Sequence, residues 1–112
     1  ILAACGVTAP ANLPGVDLVE LAADPEADRG PVFGGAWAHD QASAEDPAAS
    51  LEFRFVVDGA DKLILPATAN GTAELHDVLT DPDEQRDRAA SEPERVAELR
   101  ALLDGWWRPA AR

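Results

Sequence analysis

Leu51-Glu52-Phe53-Arg54-Phe55-Val56-Val57, then Asp58-Gly59, then Lys62-Leu63-Ile64-Leu65, is the stretch that decides the fold. Leu51, Phe53, Phe55 and Val57 alternate with Glu52 and Arg54, the period of a strand with one apolar face. Asp58-Gly59 is a hairpin signal. Lys62–Leu65 is the return strand, closed by Pro66. Asn70-Gly71 marks a second turn, and Thr72–Val78 then reads as a third strand of an antiparallel meander.

Downstream, Thr80-Asp81-Pro82-Asp83 is a turn. Ser91 and Glu94 have the S-x-x-E spacing of a capping box, with Pro93 tolerated in the first helical turn. Val96, Leu99, Leu103 and Trp106 recur at helical spacing, with Leu102 widening the stripe. This stripe needs an apolar partner, and the Leu51/Phe53/Phe55/Val57 face is the expected one. The expected fold is therefore α+β: a small antiparallel sheet of three to four strands packed by a C-terminal helix.

Upstream, Pro31–Trp37 reads as a buried strand. Gly34-Gly35 at its centre imply a bulge or a close backbone approach. Residues 39 to 50 form a long acidic loop. Val16–Leu21 is a short amphipathic helix ended by Asp24-Pro25, and Pro14-Gly15 is a turn. Ile1–Val7 reads as the end of an apolar helix stopped at Gly6. The expected division is residues 1–38 as the end of a larger domain and 39–112 as a subdomain of sheet plus helix.

The chain has 112 residues, 9 basic against 21 acidic, and a net charge of −12. Such a charge repels phosphate backbones and anionic lipid surfaces, so neither nucleic acid nor membrane is an expected partner. The chain contains no methionine and opens on Ile1-Leu2-Ala3-Ala4. The expectation is a fragment or processed piece, so localisation stays open.

Isolated chemical signals are few. The single cysteine, Cys5, lies among small apolar residues and reads as buried and inert. His39-Asp40 and His76-Asp77 each set a histidine beside a carboxylate. Neighbours on a strand point to opposite faces, which argues for solvated residues rather than a catalytic pair, more so for His76 than for His39. Glu45-Asp46 and Asp81–Glu84 supply carboxylates without a calcium-loop pattern and read as solvated loops. Trp106-Trp107 reads mainly as packing, with a sugar-stacking platform as the alternative. No P-loop, G-x-S-x-G or dinucleotide fingerprint is present.

Four stretches, taken in order, resemble the C-terminal end of the sulfatase family of the alkaline-phosphatase-like superfamily. Ile1–Val7 with Leu13–Leu21 is similar to the family's "ILxxAG…LPGxdLlpLL" segment. Arg29–Gly34 resembles its "R-x-x-V-F-G-E" strand. Phe55–Leu65, ending Asp61-Lys62-Leu63-Ile64-Leu65, looks like its "K-L-I" hairpin. Glu74–Pro82 with Glu94–Trp107 resembles "ELYDLxxDPxE…eLrxxLdxWW". The resemblance implies a hydrolase of sulfate esters or sulfamates, acting on a sulfated small molecule or glycan. It also implies a formylglycine, made from Cys or Ser in a C/S-x-P-x-R motif, and a calcium ion, both in the N-terminal half of such an enzyme. Cys5 is followed by Gly6-Val7-Thr8-Ala9, so no residue here is assigned as nucleophile or metal ligand, and the chain alone is expected to be inactive. The loop after the "V-F-G" strand makes Trp37, His39 and Asp40 the candidate substrate-binding residues. Gly35 replaces the Glu that the family pattern carries, so no role of that Glu transfers. The alternatives are a freestanding carbohydrate- or protein-binding module and the tail of a related phosphodiesterase or phosphonate hydrolase.

Overall fold

A computed structural model describes residues 1–109 except 14, 25, 41, 42 and 69. The turn expected at Pro14-Gly15, the stop at Asp24-Pro25 and the middle of the 39–50 loop therefore touch positions outside the described residues. The chain forms two compact units, Ile1–Gly30 and Pro31–Arg112.

The first unit holds a 3-10 turn, Ala3–Cys5, and helix α1, Leu18–Ala23. The apolar helix expected at the start is this single turn, ended by left-handed Gly6. Asp17 caps α1, its carboxylate accepting the N–H groups of Val19 at 2.9 Å and Glu20 at 3.4 Å. None of this unit's described residues is buried. Val7, Leu13, Val16, Leu18 and Val19 are all exposed. Cys5 is exposed as well, against the expectation of a buried residue: a single helical turn has nothing to bury it.

The second unit is the expected α+β fold. Strands β1 (Val32–Trp37), β2 (Leu51–Asp58), β3 (Asp61–Pro66) and β4 (Glu74–Asp77) form one antiparallel sheet in the order β1-β2-β3-β4. Asp58 pairs with Asp61 across a two-residue loop that opens on Gly59 at positive φ. β1 pairs with β2, so the compact unit begins at Pro31 and not at residue 39. β1 is a half-buried edge strand rather than a buried one. The outer edge of β4 is also covered: the Asp87 carboxylate accepts the Leu75 N–H at 3.0 Å, and the Leu75 carbonyl accepts the Arg88 N–H at 2.8 Å. That leaves this edge closed to another strand.

Helix α2, Pro93–Trp106, lies across the sheet. Ser91 does not cap it. The Ser91 hydroxyl instead donates to the Arg88 carbonyl at 2.9 Å inside the preceding turn, and the helix starts with Pro93 in its first turn. Gly105 is carried within the helix. Leu99 and Leu103 are fully buried with Val56, Leu63 and Leu75, and Leu65 completes the core. Leu102, expected in the stripe, is exposed.

The helix therefore covers the face opposite to the one expected. Val56, Leu63 and Leu75 are cross-strand partners. Alternation then puts Arg54 and Asp58 on the helix side, and Phe53, Phe55, Val57 and Ile64 on the other, where they are half-buried. The charges on the covered face are matched by the helix and the turn before it. Arg95 contacts Asp61 at 2.8 Å and Asp58 at 2.9 Å. Arg88 also contacts Asp61, and holds Glu92 at 3.0 Å. Burial would raise the Asp61 carboxyl; hydrogen bonds from Arg88 and Arg95, with their charges, outweigh it and hold Asp61 below the ordinary carboxylate range.

Two outcomes are expected. Leu99→Ala removes a fully buried side chain from a small core and costs about 3 kcal/mol, read from urea denaturation. The depressed Asp61 value means the clamp stabilises fully above the unfolded carboxylate pKa, about 4, and fades as pH falls through the lower folded value. Comparing urea midpoints of the native chain and Asp61→Asn across pH isolates this term. The gap between the two is widest near neutrality and closes in acid.

Candidate functional site

Phe33, Gly35 and Trp37 share the helix side of β1 by alternation. A Cβ at Gly34 would stand 2.4 Å from the Phe55 ring, and one at Gly35 would stand 3.1 Å from the Trp37 indole. The glycine pair thus allows two aromatic rings to lie against the strand on opposite faces, the close approach expected from sequence. A side chain at position 35, such as the Glu of the family pattern, would press its Cβ against the Trp37 ring and the Phe53 carbonyl, each 3.1 Å away. At the end of β1 the register shifts: Ala36 pairs with Phe53 and Trp37 with Leu51, leaving Glu52 as the extra residue.

The C-terminal end of α2 brings Trp106 and Trp107 to this place. Trp106 stacks on Phe33 with centroids 5.4 Å apart and planes 8° from parallel. Trp107 stacks on Trp37 at 6.1 Å and 28°. Trp106 and Trp107 meet edge to face at 6.1 Å and 84°. Such contacts are each worth about 1 kcal/mol beyond area burial. Packing does not consume the rings, since Trp37 is 44% and Trp106 45% exposed. The packing reading of Trp106-Trp107 is met by these contacts.

Arg54 fixes the helix end from below. Its guanidinium pairs with Asp104 at 3.1 Å and donates to the Trp107 carbonyl. This satisfies a carbonyl that the terminating helix leaves open. Arg108 holds the other Asp104 oxygen at 2.8 Å. Burial would raise the Asp104 carboxyl, but hydrogen bonds from Arg54 and Arg108 pull it below its ordinary value.

The start of β2 and the end of β1 are joined beyond the register shift. Ala38 donates its N–H to the Ser50 carbonyl at 2.8 Å. Asp46, read from sequence as a solvated loop carboxylate, accepts the Ala48 N–H at 3.1 Å and caps a 3-10 turn, Pro47–Ser50. The result is a groove of about 430 Å³ lined by Trp37, Asp46, Pro47, Ala48, Trp106, Trp107 and Pro109.

Of the three sequence candidates, the groove takes in Trp37 alone. His39 and Asp40 are fully exposed and touch each other, Nδ1 to Oδ1, at 3.3 Å. Adjacent residues meet this way because the chain has left the strand and bends there. Asp46, Pro47 and Pro109 were not singled out as site residues. The Asp46-Pro47 dipeptide, a local turn signal, is the one mark they carry in the sequence.

His76 is buried rather than solvated. Its Nδ1 lies 3.1 Å from the Arg86 carbonyl and its Nε2 3.4 Å from Glu74. Asp77 does not touch it and instead accepts the N–H groups of Leu79 and Thr80. Hydrogen bonds from Thr80 above all hold the Asp77 carboxyl below its usual value. Among the described residues, no group of three or more His, Cys, Asp or Glu side chains converges to hold a metal ion. The described residues thus offer no such set for the calcium implied by the family resemblance, and no chemical step is assigned to these side chains.

A search with the sequence finds no matching protein-family model and no matching curated protein.

The Arg54 anchor is testable. Arg54→Ala leaves Asp104 with Arg108 but without its strand-side partner, frees the Trp107 carbonyl, and costs about 1–2 kcal/mol. Tryptophan emission shifts to the red as Trp107 is released. Pairing Arg54→Met with Asp104→Leu removes both charges and restores most of the stability.

Proposed function

We propose that this chain is the C-terminal part of a sulfatase, a hydrolase of sulfate esters or sulfamates in the alkaline-phosphatase-like superfamily. In this reading its own task is architectural, supporting and shaping the substrate side of an active site built from upstream residues. The observation that carries the reading is the order of four family-like stretches along the sequence, ending in the turn, helix and Trp106-Trp107 pair. The antiparallel sheet covered by a C-terminal helix is compatible with it.

Two physical features support the same reading. The first unit carries exposed Val7, Leu13, Val16, Leu18 and Val19 and, among its described residues, none that is buried, as suits a segment that completes a larger core. Phe53, Phe55, Val57 and Ile64 form a half-buried apolar sheet face, while the helix occupies the other side. In the full enzyme these surfaces would lie against the main α/β domain. There, a formylglycine hydrate would supply an activated oxygen nucleophile and a calcium ion would offset sulfate charge. Trp37 would stand at the substrate side, on the rim formed after β1.

The test is the reading frame upstream of Ile1, joined to an assay on 4-nitrophenyl sulfate. An in-frame C/S-x-P-x-R motif is expected. Hydrolysis is expected from a chain that includes the motif and none from the 112 residues alone. Replacing the motif's Cys or Ser by Ala abolishes it. A stop codon close upstream with no such motif, or preferential hydrolysis of phosphate diesters by the longer chain, overturns the proposal.

A further inference from the structure

We infer that the Asn70-Gly71 turn is a modification site, at which the Asn70 carboxamide is lost as ammonia and aspartate or isoaspartate is left in its place. This goes beyond the sulfatase reading and does not rest on it.

This turn hands the chain from β3 to β4. The Thr68 carbonyl accepts the Gly71 N–H at 3.0 Å, the bond of a four-residue turn. Asn and Gly are residues that turns favour. Asn70, Gly71 and Thr72 are exposed, so water and hydroxide reach the carboxamide and the backbone nitrogen that follows it. Packing also fixes the glycine. A Cβ at Gly71 would stand 2.4 Å from the Pro66 Cβ and 2.8 Å from the Thr68 hydroxyl oxygen. The fold therefore keeps, next to an exposed asparagine, the one residue whose backbone nitrogen has no side chain to shield it. Asn12 is the other asparagine of the sequence, and the branched side chain of Leu13 follows it.

The chemistry asks for water and base alone. The Gly71 backbone nitrogen gives its proton to hydroxide and attacks the Asn70 Cγ. The new carbon–nitrogen bond closes a five-membered imide. The Cγ–Nδ2 bond breaks, and the nitrogen takes up a proton from water and leaves as ammonia. A second water then opens the imide. Cleavage of the new bond at Cγ gives aspartate. Cleavage at the original backbone carbonyl gives isoaspartate, with the chain running on through Cγ. Either product adds one negative charge, and isoaspartate adds one atom to the backbone of a turn that packs on Pro66. The bond from Gly71 to Thr68 is a brake. The attacking nitrogen must leave that carbonyl first, so the folded chain reacts about three- to ten-fold more slowly than the unfolded chain, the worth of one hydrogen bond.

The 112-residue chain is aged in mildly alkaline buffer, folded and in urea, and trypsin digests are followed by liquid chromatography and mass spectrometry. The two asparagines fall in separate peptides, Ile1–Arg29 and Leu63–Arg86. The mass gain of an amide-to-acid conversion is expected in Leu63–Arg86, as two chromatographic isomers, one of which accepts a methyl group from a protein isoaspartyl methyltransferase. Ile1–Arg29 stays unchanged over the same time. The unfolded chain converts about three- to ten-fold faster. Asn70→Gln, which would need a larger ring, stops the conversion in both states; the variant changes an exposed side chain, and circular dichroism checks that it folds. The inference is overturned by an unchanged Leu63–Arg86 peptide in the folded chain when the unfolded chain is fully converted. Conversion without the methyl-accepting isomer, or equal conversion of Ile1–Arg29, overturns it too. Equal rates in the folded and unfolded chains remove the brake assigned to the Thr68 carbonyl.

Discussion

The second unit depends on two leucines of one helix. Leu99 and Leu103 are fully buried against Val56, Leu63 and Leu75, a row that crosses three strands. Each such side chain contributes about 1.5–3 kcal/mol on burial. With so few fully buried side chains, the fold has little apolar surplus over its conformational entropy. Everything else that gives the unit shape is arranged around this contact.

Charge locks the helix at both ends. Near its start, Arg88 and Arg95 converge on Asp61, with Asp58 beside it, so the tip of the β2-β3 hairpin is clamped. Hydrogen bonding to Asp61 raises the hold of Arg95 on its own proton. At its end, Arg54 grips Asp104 and the Trp107 carbonyl. The groups are partly shielded from solvent, so their interactions are screened less than those of fully exposed pairs. Pairing at two ends fixes the helix in register as well as in place. This register sets Trp106 over Phe33 and Trp107 over Trp37, and hence the groove.

Much of the architecture was legible because it is local. Alternation in Leu51–Val57, the Asp58-Gly59 signal and the spacing of Val96, Leu99 and Leu103 each reflect a backbone period or a turn that a few residues decide. The capping-box spacing does not produce a cap. Ser91 and Glu94 have the right spacing, but the Ser91 hydroxyl is taken by the Arg88 carbonyl of a turn whose position Asp61 and Glu92 help to fix. The burial of His76 has no local mark for a similar reason. Its burial comes from the Arg86 segment folding back along β4, a contact with no short-range signature.

The sequence by itself determined the strands and the C-terminal helix of the second unit, their order and the antiparallel hairpin, since these follow from side-chain periodicity and turn chemistry within short windows. Tertiary structure alone decided which sheet face the helix covers. Read in isolation, β2 offers Leu51, Phe53, Phe55 and Val57 as the apolar face, yet the helix takes the side of Arg54, Val56 and Asp58. It does so because Leu63, Leu65 and Leu75 extend Val56 into a core there, and because Arg95 and Asp104 neutralise the charges that made that face look like solvent. The groove belongs to the same class of outcome. Trp37 and Trp107 lie far apart in the chain, and only the sheet register and the helix end bring their rings together.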